Sequence, residues 1–376
     1  MTNWPTKKLG EVAYFQEGPG LRTFQFKPNG IRVINVANVR NGFLDLSTTK
    51  FLDPDEVQQK YKHFLVNEND ILVSTSGTIG RVAWIVKNDL PLMLNTSVMR
   101  FHTLDEKILL NRFLFYFLSG SIFRNEILKY KTGVAIFNVG PSHIKKIKIP
   151  LPPLQIQKQI VERLDKIVEA QKLNDDLIQK SNELYRSLLH NELNVKFKNQ
   201  NAKSQFKIKK LGEICDIYQP QTITSNEIVK EGPFKVFGAN GVIGYYSKYN
   251  HEDSEVLVTC RGATCGTLNM SEPKSWITGN AMVVRPQNKK TLSKEFLFYS
   301  LKNSNLRRTI TGTGQPQITR NSLSPFQIIL PPLETQKQIV AKLSAAQEYK
   351  NQLLAQKSKL KELFESVLAK SFKGEL

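Results

Sequence analysis

The chain repeats itself, and a repeat constrains a fold more than any local propensity does, because two copies of one sequence build two copies of one structure. Lys7-Lys8-Leu9-Gly10-Glu11 recurs as Lys209-Lys210-Leu211-Gly212-Glu213, and Phe113-Leu114-Phe115-Tyr116 recurs as Phe296-Leu297-Phe298-Tyr299. The longest match sets PPLQIQKQIVERL, Pro152 to Leu164, against PPLETQKQIVAKL, Pro331 to Leu343. The offset between copies is 202 at the KKLG motif, 185 from Gly77 to Gly262 and 179 at the PPL motif. The first copy is therefore 23 residues longer between the outer landmarks, and 17 of those residues precede Gly77. Two globules with a shared frame and different front parts are expected, as in a pair of domains that read different targets.

Each copy changes character partway. Its front is rich in short apolar runs bounded by turn residues, such as Ile31–Val36, Asp70–Val73 leading into Ser74-Thr75-Ser76-Gly77, and Glu255–Val258 leading into Thr259. These read as strands, with a helix over Asn111–Leu118 and its counterpart near Lys294–Leu301. After each double proline, which suits a first helical turn, no Gly or Pro interrupts Leu154 to Asn199 or Leu333 to Lys373. In the second of these stretches Ile339, Ala346, Leu353, Leu360 and Val367 recur every seventh residue, with Leu343 and Phe364 beside them. The first has Ile160, Ile167, Asn174, Ser181 and Leu188 at the same positions, so its seam is polar in the middle, while Leu173, Leu177, Ile178 and Leu184 are apolar on a shifted face. Two helices of about 36 residues, each roughly 54 Å long, pack most economically on each other. The fold class read here is α+β, with two tandem globules each followed by a long helix, the helices pairing as an antiparallel coiled coil. The expected boundaries are a first globule over 1–151, a helix over 152–193, a lysine-rich linker over 194–208, a second globule over 209–330 and a second helix over 331–376.

Charge points to the partner. There are 53 Lys+Arg against 33 Asp+Glu in 376 residues, a formal net charge of +20, which favours a polyanion, nucleic acid first and an anionic membrane surface second. Residues 1–193 carry +7 and residues 194–376 carry +13, so both copies are basic. A hydrophobic content of 40% excludes wholesale disorder. No run of 18 uncharged apolar residues exists and MTNWPTKKLG is no secretory leader, so a cytoplasmic protein is expected. Cys215, Cys260 and Cys265 form no C-x-x-C and read as buried, inert thiols.

The chain carries no recognisable engine. It has no G-x-x-x-x-G-K-[ST], no Asn/Asp-Pro-Pro-aromatic tetrapeptide, no metal-spaced pair among its five histidines, and no glycine fingerprint for a methyl donor. Pro54-Asp55 with Asp105-Glu106-Lys107 is too widely spaced to read as a nuclease core. The turns Ser76–Gly80 and Arg261–Gly266 open no helix and read as strand-to-strand turns rather than phosphate loops. A binder without a catalytic centre or metal site is expected. The competing classes are a self-contained restriction or modification enzyme and a coiled-coil scaffold.

Several stretches carry a resemblance. Leu72–Val82 (LVSTSGTIGRV), Thr132–Gln155 (TGVAIFNVGPSHIKKIKIPLPPLQ), Val258–Gly266 (VTCRGATCG), Ser275–Val284 (SWITGNAMVV), Thr311–Gln315 before Ile318 and the QKQIV helix start of both copies are similar to the DNA specificity subunits of type I restriction-modification systems. The resemblance covers essentially the whole chain. It implies two target recognition domains that each read one half of an asymmetric, interrupted site on double-stranded DNA. It also implies a helical spacer that docks two methyltransferase subunits, and a restriction and motor subunit reached through the complex. S-adenosylmethionine, ATP and Mg belong, on this resemblance, to those partners and not to this chain. Base readout needs Arg or Lys for guanine and Asn or Gln for adenine on loops that enter the major groove. The candidates for DNA contact are Arg22, Arg32, Arg40, Ser76, Thr78, Arg81 and Asn138 in the first copy. In the second they are Gln221, Thr222, Asn240, Arg261, Thr264, Gln315 and Gln317, with Arg261 foremost because its turn follows a strand directly. Lys7, Lys8, Lys209 and Lys210 suit phosphate.

Overall fold

In the computed structural model, residues 4–130, 139–195, 206–238, 240–312 and 315–375 are described. They divide into two compact units, Met1–Asp175 with Gln356–Leu376, and Asp176–Ala355. Each long helix thus contributes one part to each unit.

The first copy holds strands β1 (Thr6–Lys8), β2 (Ala13–Glu17), β3 (Ile31–Ile34), β4 (Lys50–Leu52), β5 (Ile71–Ser74), β6 (Val82–Trp84), β7 (Leu92–Leu94) and β8 (Val98–Thr103). Helices α1 (Asn111–Ser119) and α2 (Ser121–Leu128), strand β9 (Lys148–Pro150) and the long helix α3 (Leu154–His190) follow. An antiparallel sheet runs β2-β8-β5-β6, a second sheet runs β4-β3-β7 with β3 and β7 parallel, and β1 pairs with β9. Alternation along β5 explains the layering, since successive side chains point to opposite faces. Ile71 and Val73 join the core built on α1, with Phe113, Phe117 and Phe123, whereas Leu72 joins Ile34, Leu92 and Leu94 of the smaller sheet. A strand covered on both faces reads as an unbroken apolar run, as Ile71-Leu72-Val73 does.

The second copy repeats this order strand for strand: β10 (Lys207–Lys210), β11 (Cys215–Tyr218), β12 (Phe234–Gly238), β13 (Gly241–Tyr246), β14 (Val256–Thr259), β15 (Leu268–Met270), β16 (Trp276–Ile277) and β17 (Ala281–Pro286). Helix α4 (Lys294–Lys302), strand β18 (Gln327–Leu330) and the long helix α5 (Leu333–Lys373) complete it. Its sheets run β11-β17-β14-β15 and β13-β12-β16, and β10 pairs with β18. Val256 and Val258 face the helical core while Leu257 packs with Phe237 and Ile277. Most of the extra length of the first copy falls in one connection. Residues 35–70 link β3 to β5, where 239–255, including β13, link β12 to β14.

The long helices pair antiparallel inside each unit. In the first, Asp175 meets Lys357 at 2.8 Å and Gln171 Nε2 donates to the Leu360 carbonyl at 3.1 Å. Ile160 and Leu164 share a core there with Leu368 and Phe372. In the second, Glu192 meets Lys342 at 2.8 Å, and Tyr185 and Leu193 share a core with Ile339 and Leu343. The polar seam positions Asn174 and Ser181 are buried, and Leu173 and Leu184 of the shifted apolar face are exposed.

One buried amide per copy fixes the helix start. Gln157 Nε2 donates to the carbonyls of Ile108 and Pro152, both at 2.9 Å, and its Oε1 accepts from the Leu110 amide at 3.0 Å. Gln336 does the same with Thr291, Pro331 and the Ser293 amide, at 2.8, 2.8 and 2.9 Å. The shared QKQ motif is thus a lock between each long helix and the loop before α1 or α4.

Candidate nucleic-acid interface

Two turns occupy equivalent places. In the first copy, β5 and β6 are joined by 75–81, closed by Gly80 N–H to the Ser74 carbonyl at 2.9 Å and Ser74 N–H to the Arg81 carbonyl at 3.0 Å. In the second, Gly266 N–H donates to the Thr259 carbonyl and Thr259 N–H to the Thr267 carbonyl, both at 2.8 Å. These bonds align Gly80 with Gly266 and Arg81 with Thr267, and the second turn is one residue longer; Thr78 and Thr264 each lie two residues before the closing glycine. Both glycines sit at positive φ, +80° and +88°, which a side chain would strain. Ser74 Oγ donates to the Thr78 carbonyl at 2.6 Å and stiffens the first turn.

A second segment of each copy docks on its turn. Val139 N–H donates to the Thr75 carbonyl at 3.0 Å, and Ile318 N–H to the Cys260 carbonyl at 3.0 Å. In the second copy the docking continues outward, because Arg261 and Gln317 form a backbone bridge and Gly262 N–H donates to the Pro316 carbonyl at 3.2 Å. Arg261, Thr264, Gln315 and Gln317 are all exposed on this assembly, so the structure brings these four candidates together. Asn138, the first-copy counterpart of Gln317, lies outside the described residues.

The loops carrying the other candidates lean on the same ends. Gln219 Nε2 donates to the Gly279 carbonyl at 3.2 Å, and a side chain at Gly279 would start 2.9 Å from Thr222 Cγ2. Gln221 and Thr222 are therefore held beside the segment that leads into β17, where the Asn280 carbonyl accepts from Cys260 N–H. Arg22 is exposed in the corresponding loop of the first copy, its own amide donating to Gln25 Oε1 at 2.8 Å. Asn240 is exposed in the β12–β13 turn, and Arg40 lies in the longer connection that replaces that turn. That connection reaches the first turn through Gly42 N–H to the Val82 carbonyl at 2.7 Å. Arg32 differs from the rest: it sits half-buried within β3, opposite Phe51 and Leu92, and not on a loop.

Ion pairing sorts the arginines. Arg40 meets Asp45 at 3.0 Å, and the Ser47 hydroxyl with that guanidinium holds the Asp45 carboxyl below its ordinary range. Arg112 meets Asp165 at 2.7 Å and Arg285 meets Glu255 at 2.8 Å. Arg100 lies 3.8 Å from Asp70. These charges are already compensated inside the protein. Arg22, Arg32, Arg81 and Arg261 have no acidic partner within 4.0 Å among the described residues, which leaves their charge available to an external anion. The same holds for Arg124, Arg307 and Arg308, which lie near the globules' ends and which the sequence reading passed over. Their only signal was position: Arg124 and Arg307 each lie eight residues beyond the repeated FLFY run.

Among the described residues, no group of three His, Cys, Asp or Glu is placed to hold a metal ion. Cys215, Cys260 and Cys265 are free and buried, and burial raises the Cys215 thiol to about 12 and the Cys265 thiol above its usual value. No helix is long and apolar enough to cross a membrane.

Comparison with known proteins gives the same answer over both copies. The family model described as type I restriction modification DNA specificity domain matches residues 1–183 and again 203–363. The StySPI type I restriction enzyme specificity subunit of Salmonella potsdam is 25% identical over 99% of this chain and 89% of its own. The MjaVIII specificity subunit of Methanocaldococcus jannaschii is 30% identical over 50% of this chain and 45% of its own. In fold, the crystal structure of the type I restriction-modification S subunit from M. genitalium superposes with a TM-score of 0.65 at 19% identity, over 98% of this chain and 96% of that one. A twice-matched family model and a twice-built frame lead to one conclusion: the chain belongs to the DNA specificity subunits of type I restriction-modification systems, the non-catalytic subunit of those enzymes.

Proposed function

We propose that each globule reads one half of an interrupted, asymmetric site on duplex DNA, and that the paired helices hold the halves at a set spacing and dock two methyltransferase subunits. The observation that carries this reading is the contrast within the repeat. The two turns are closed and docked by equivalent hydrogen bonds, the second being one residue longer, while the residues mounted on them differ: Ser76 against Arg261, Arg81 against Thr267, and the 35–70 connection against 239–255. One scaffold with two sets of exposed polar side chains suits two unlike half-sites. We assign the readout to Arg22, Ser76, Arg81 and Asn138 in the first copy and to Gln221, Thr222, Asn240, Arg261, Gln315 and Gln317 in the second. Arg40 and Arg32 have weaker claims, one being paired with Asp45 and the other lying within a strand. On this reading 1–151 and 209–330 are the recognition domains, and 194–208 tethers them.

The helices support the docking role. Val168, Leu173 and Leu363 in one unit and Leu184, Tyr349 and Leu354 in the other are large apolar side chains facing outward. Apolar contact of that kind suits a stable protein partner. The methyl donor and any nucleotide or Mg then belong to the partner subunits, and the complex acts in the cytoplasm beside the DNA.

The test is to produce the chain with its methyltransferase subunits and map methylated adenines on a genome. The expected motif is two short blocks around a fixed gap. Methylation of a single uninterrupted block, or turnover by this chain alone with S-adenosylmethionine, would overturn the reading.

A further inference from the structure

The two copies differ where they face different bases, so whatever they share at the same place should meet what all duplexes share. That common element is the phosphate backbone. Besides the lysines of the KKLG motif, two pairs of side chains pass this filter, and both lie at the turns. Thr78 and Thr264 each lie two residues before the glycine whose N–H closes the turn, Gly80 and Gly266, and both are exposed, although the second turn is one residue longer. Arg124 and Arg307 hold the same position after the repeated FLFY run, and both are exposed.

The structure brings each Arg to its turn. Arg124 Nε lies 3.8 Å from the point where a side chain on Gly80 would begin, and its Cγ is equally near. In the second copy the backbone and Cβ of Leu306, the residue before Arg307, lie 4.0 and 3.8 Å from the same point on Gly266. Thr264, Thr267 and Arg307 line one open cleft of about 380 Å³ there. Neither arginine has an acid within 4.0 Å among the described residues. Phe123 and Leu306, the residues before them, are buried, which anchors each arginine to the globule rather than to the variable loops. A cation on the rigid frame, next to a loop that changes between copies, is placed for positioning and not for base choice.

We propose that Thr78 with Arg124, and Thr264 with Arg307, form equivalent phosphate clamps that seat each recognition turn on the duplex regardless of its sequence. This rests on the reading of the globules as DNA-contacting domains and adds residues to it. Each clamp supplies one hydroxyl donor and one guanidinium, and it neutralises one phosphate. Observed affinity falls with salt at a slope of about 0.9 per neutralised phosphate, so each Arg contributes about one unit of slope.

The experiment uses the chain assembled with its methyltransferase subunits. Duplex binding is measured from about 50 to 200 mM salt, the range over which such contacts dominate, and methylated motifs are mapped in parallel. Arg124→Gln and Arg307→Gln should each lower the salt slope by about one, and together by about two. Arg124→Lys and Arg307→Lys should restore the slope. Thr78→Val and Thr264→Val should weaken all duplexes alike with the slope unchanged. The motif should stay the same in every variant, and thermal unfolding of each complex checks its fold. A slope that Arg→Gln leaves unchanged in a complex that still binds its site overturns the clamp and leaves the DNA reading intact. So does a variant that alters one half of the motif, because the residue would then be reading bases. An unmutated complex with no site preference and a flat salt response removes the underlying reading instead.

Discussion

Gln157 and Gln336 show how a polar side chain becomes a structural keystone. Each is fully buried and makes three hydrogen bonds to backbone groups. Gln157→Leu keeps the volume but strands the Leu110 amide and two carbonyls, at a cost of about 3 kcal/mol. The expected result is a lower urea midpoint for the first unit and faster amide exchange at Leu110. His251 offers a pH-dependent counterpart. It is buried, its Nε2 accepts from the Tyr218 hydroxyl at 2.9 Å, and its Nδ1–H donates to Asn250 Oδ1 at 2.6 Å. Asn250 Oδ1 also accepts from the Ile277 amide, which fixes that oxygen as the acceptor and Nδ1 as the protonated ring nitrogen. Burial first, then the charges of Arg285 and Lys294, lower its pKa to about 4. The unfolded chain therefore binds the proton first. This contribution is complete above pH 6.5 and declines as pH falls toward 4, by up to about 3 kcal/mol in all. His251→Gln should flatten that part of the stability profile, read from urea midpoints between pH 4 and 7.

At the level of elements, the end of α5 belongs to the first copy's core. Phe372 packs its ring 4.8 Å from Phe113 and 5.6 Å from Phe117, beside Ile160 and Leu164 of α3. Phe372→Ala should cost about 3–5 kcal/mol. Hydrogen exchange should place the loss in β2, β5 and β8, more than 250 residues away in sequence, and leave β11, β14 and β17 protected. The long helices themselves were legible from unbroken stretches without Gly or Pro, and their pairing from the heptads. Sequence alone did not decide which face of α3 would be buried, since Asn174 and Ser181 competed with Leu173 and Leu184. The antiparallel partner decided it, and the exposed leucines became surface available to another protein.

For the whole molecule, tandem construction predicts modular behaviour. Replacing 209–330 with a different recognition domain should change one block of the methylated motif and leave the other block untouched. A change in both blocks on methylome sequencing would contradict independent reading by the two globules. The net charge of +20, basic in both halves, now has a finer meaning. Part of it is spent internally, in pairs such as Arg112 with Asp165 and Arg285 with Glu255. The unpaired set beside the turns is the part left available to an external anion, and on the proposed reading it is the part that meets DNA.

By itself the sequence determined the repeat, the α+β class, the long helices and the family, because these depend on periodicity, glycine and proline placement and motif identity, all local or self-comparing signals. The turns were legible too, since Gly80 and Gly266 take a backbone conformation that favours glycine. Only the tertiary structure decided which polar residues share an end of the globule. Arg261 and Gln317 are 56 positions apart, yet their backbones bridge. Arg40 scanned as a free cation until folding set Asp45 beside it, and Arg124 was unremarked until α2 brought it to Gly80. Availability of a charge is a property of its neighbours in space, and a chain read residue by residue does not contain that distance.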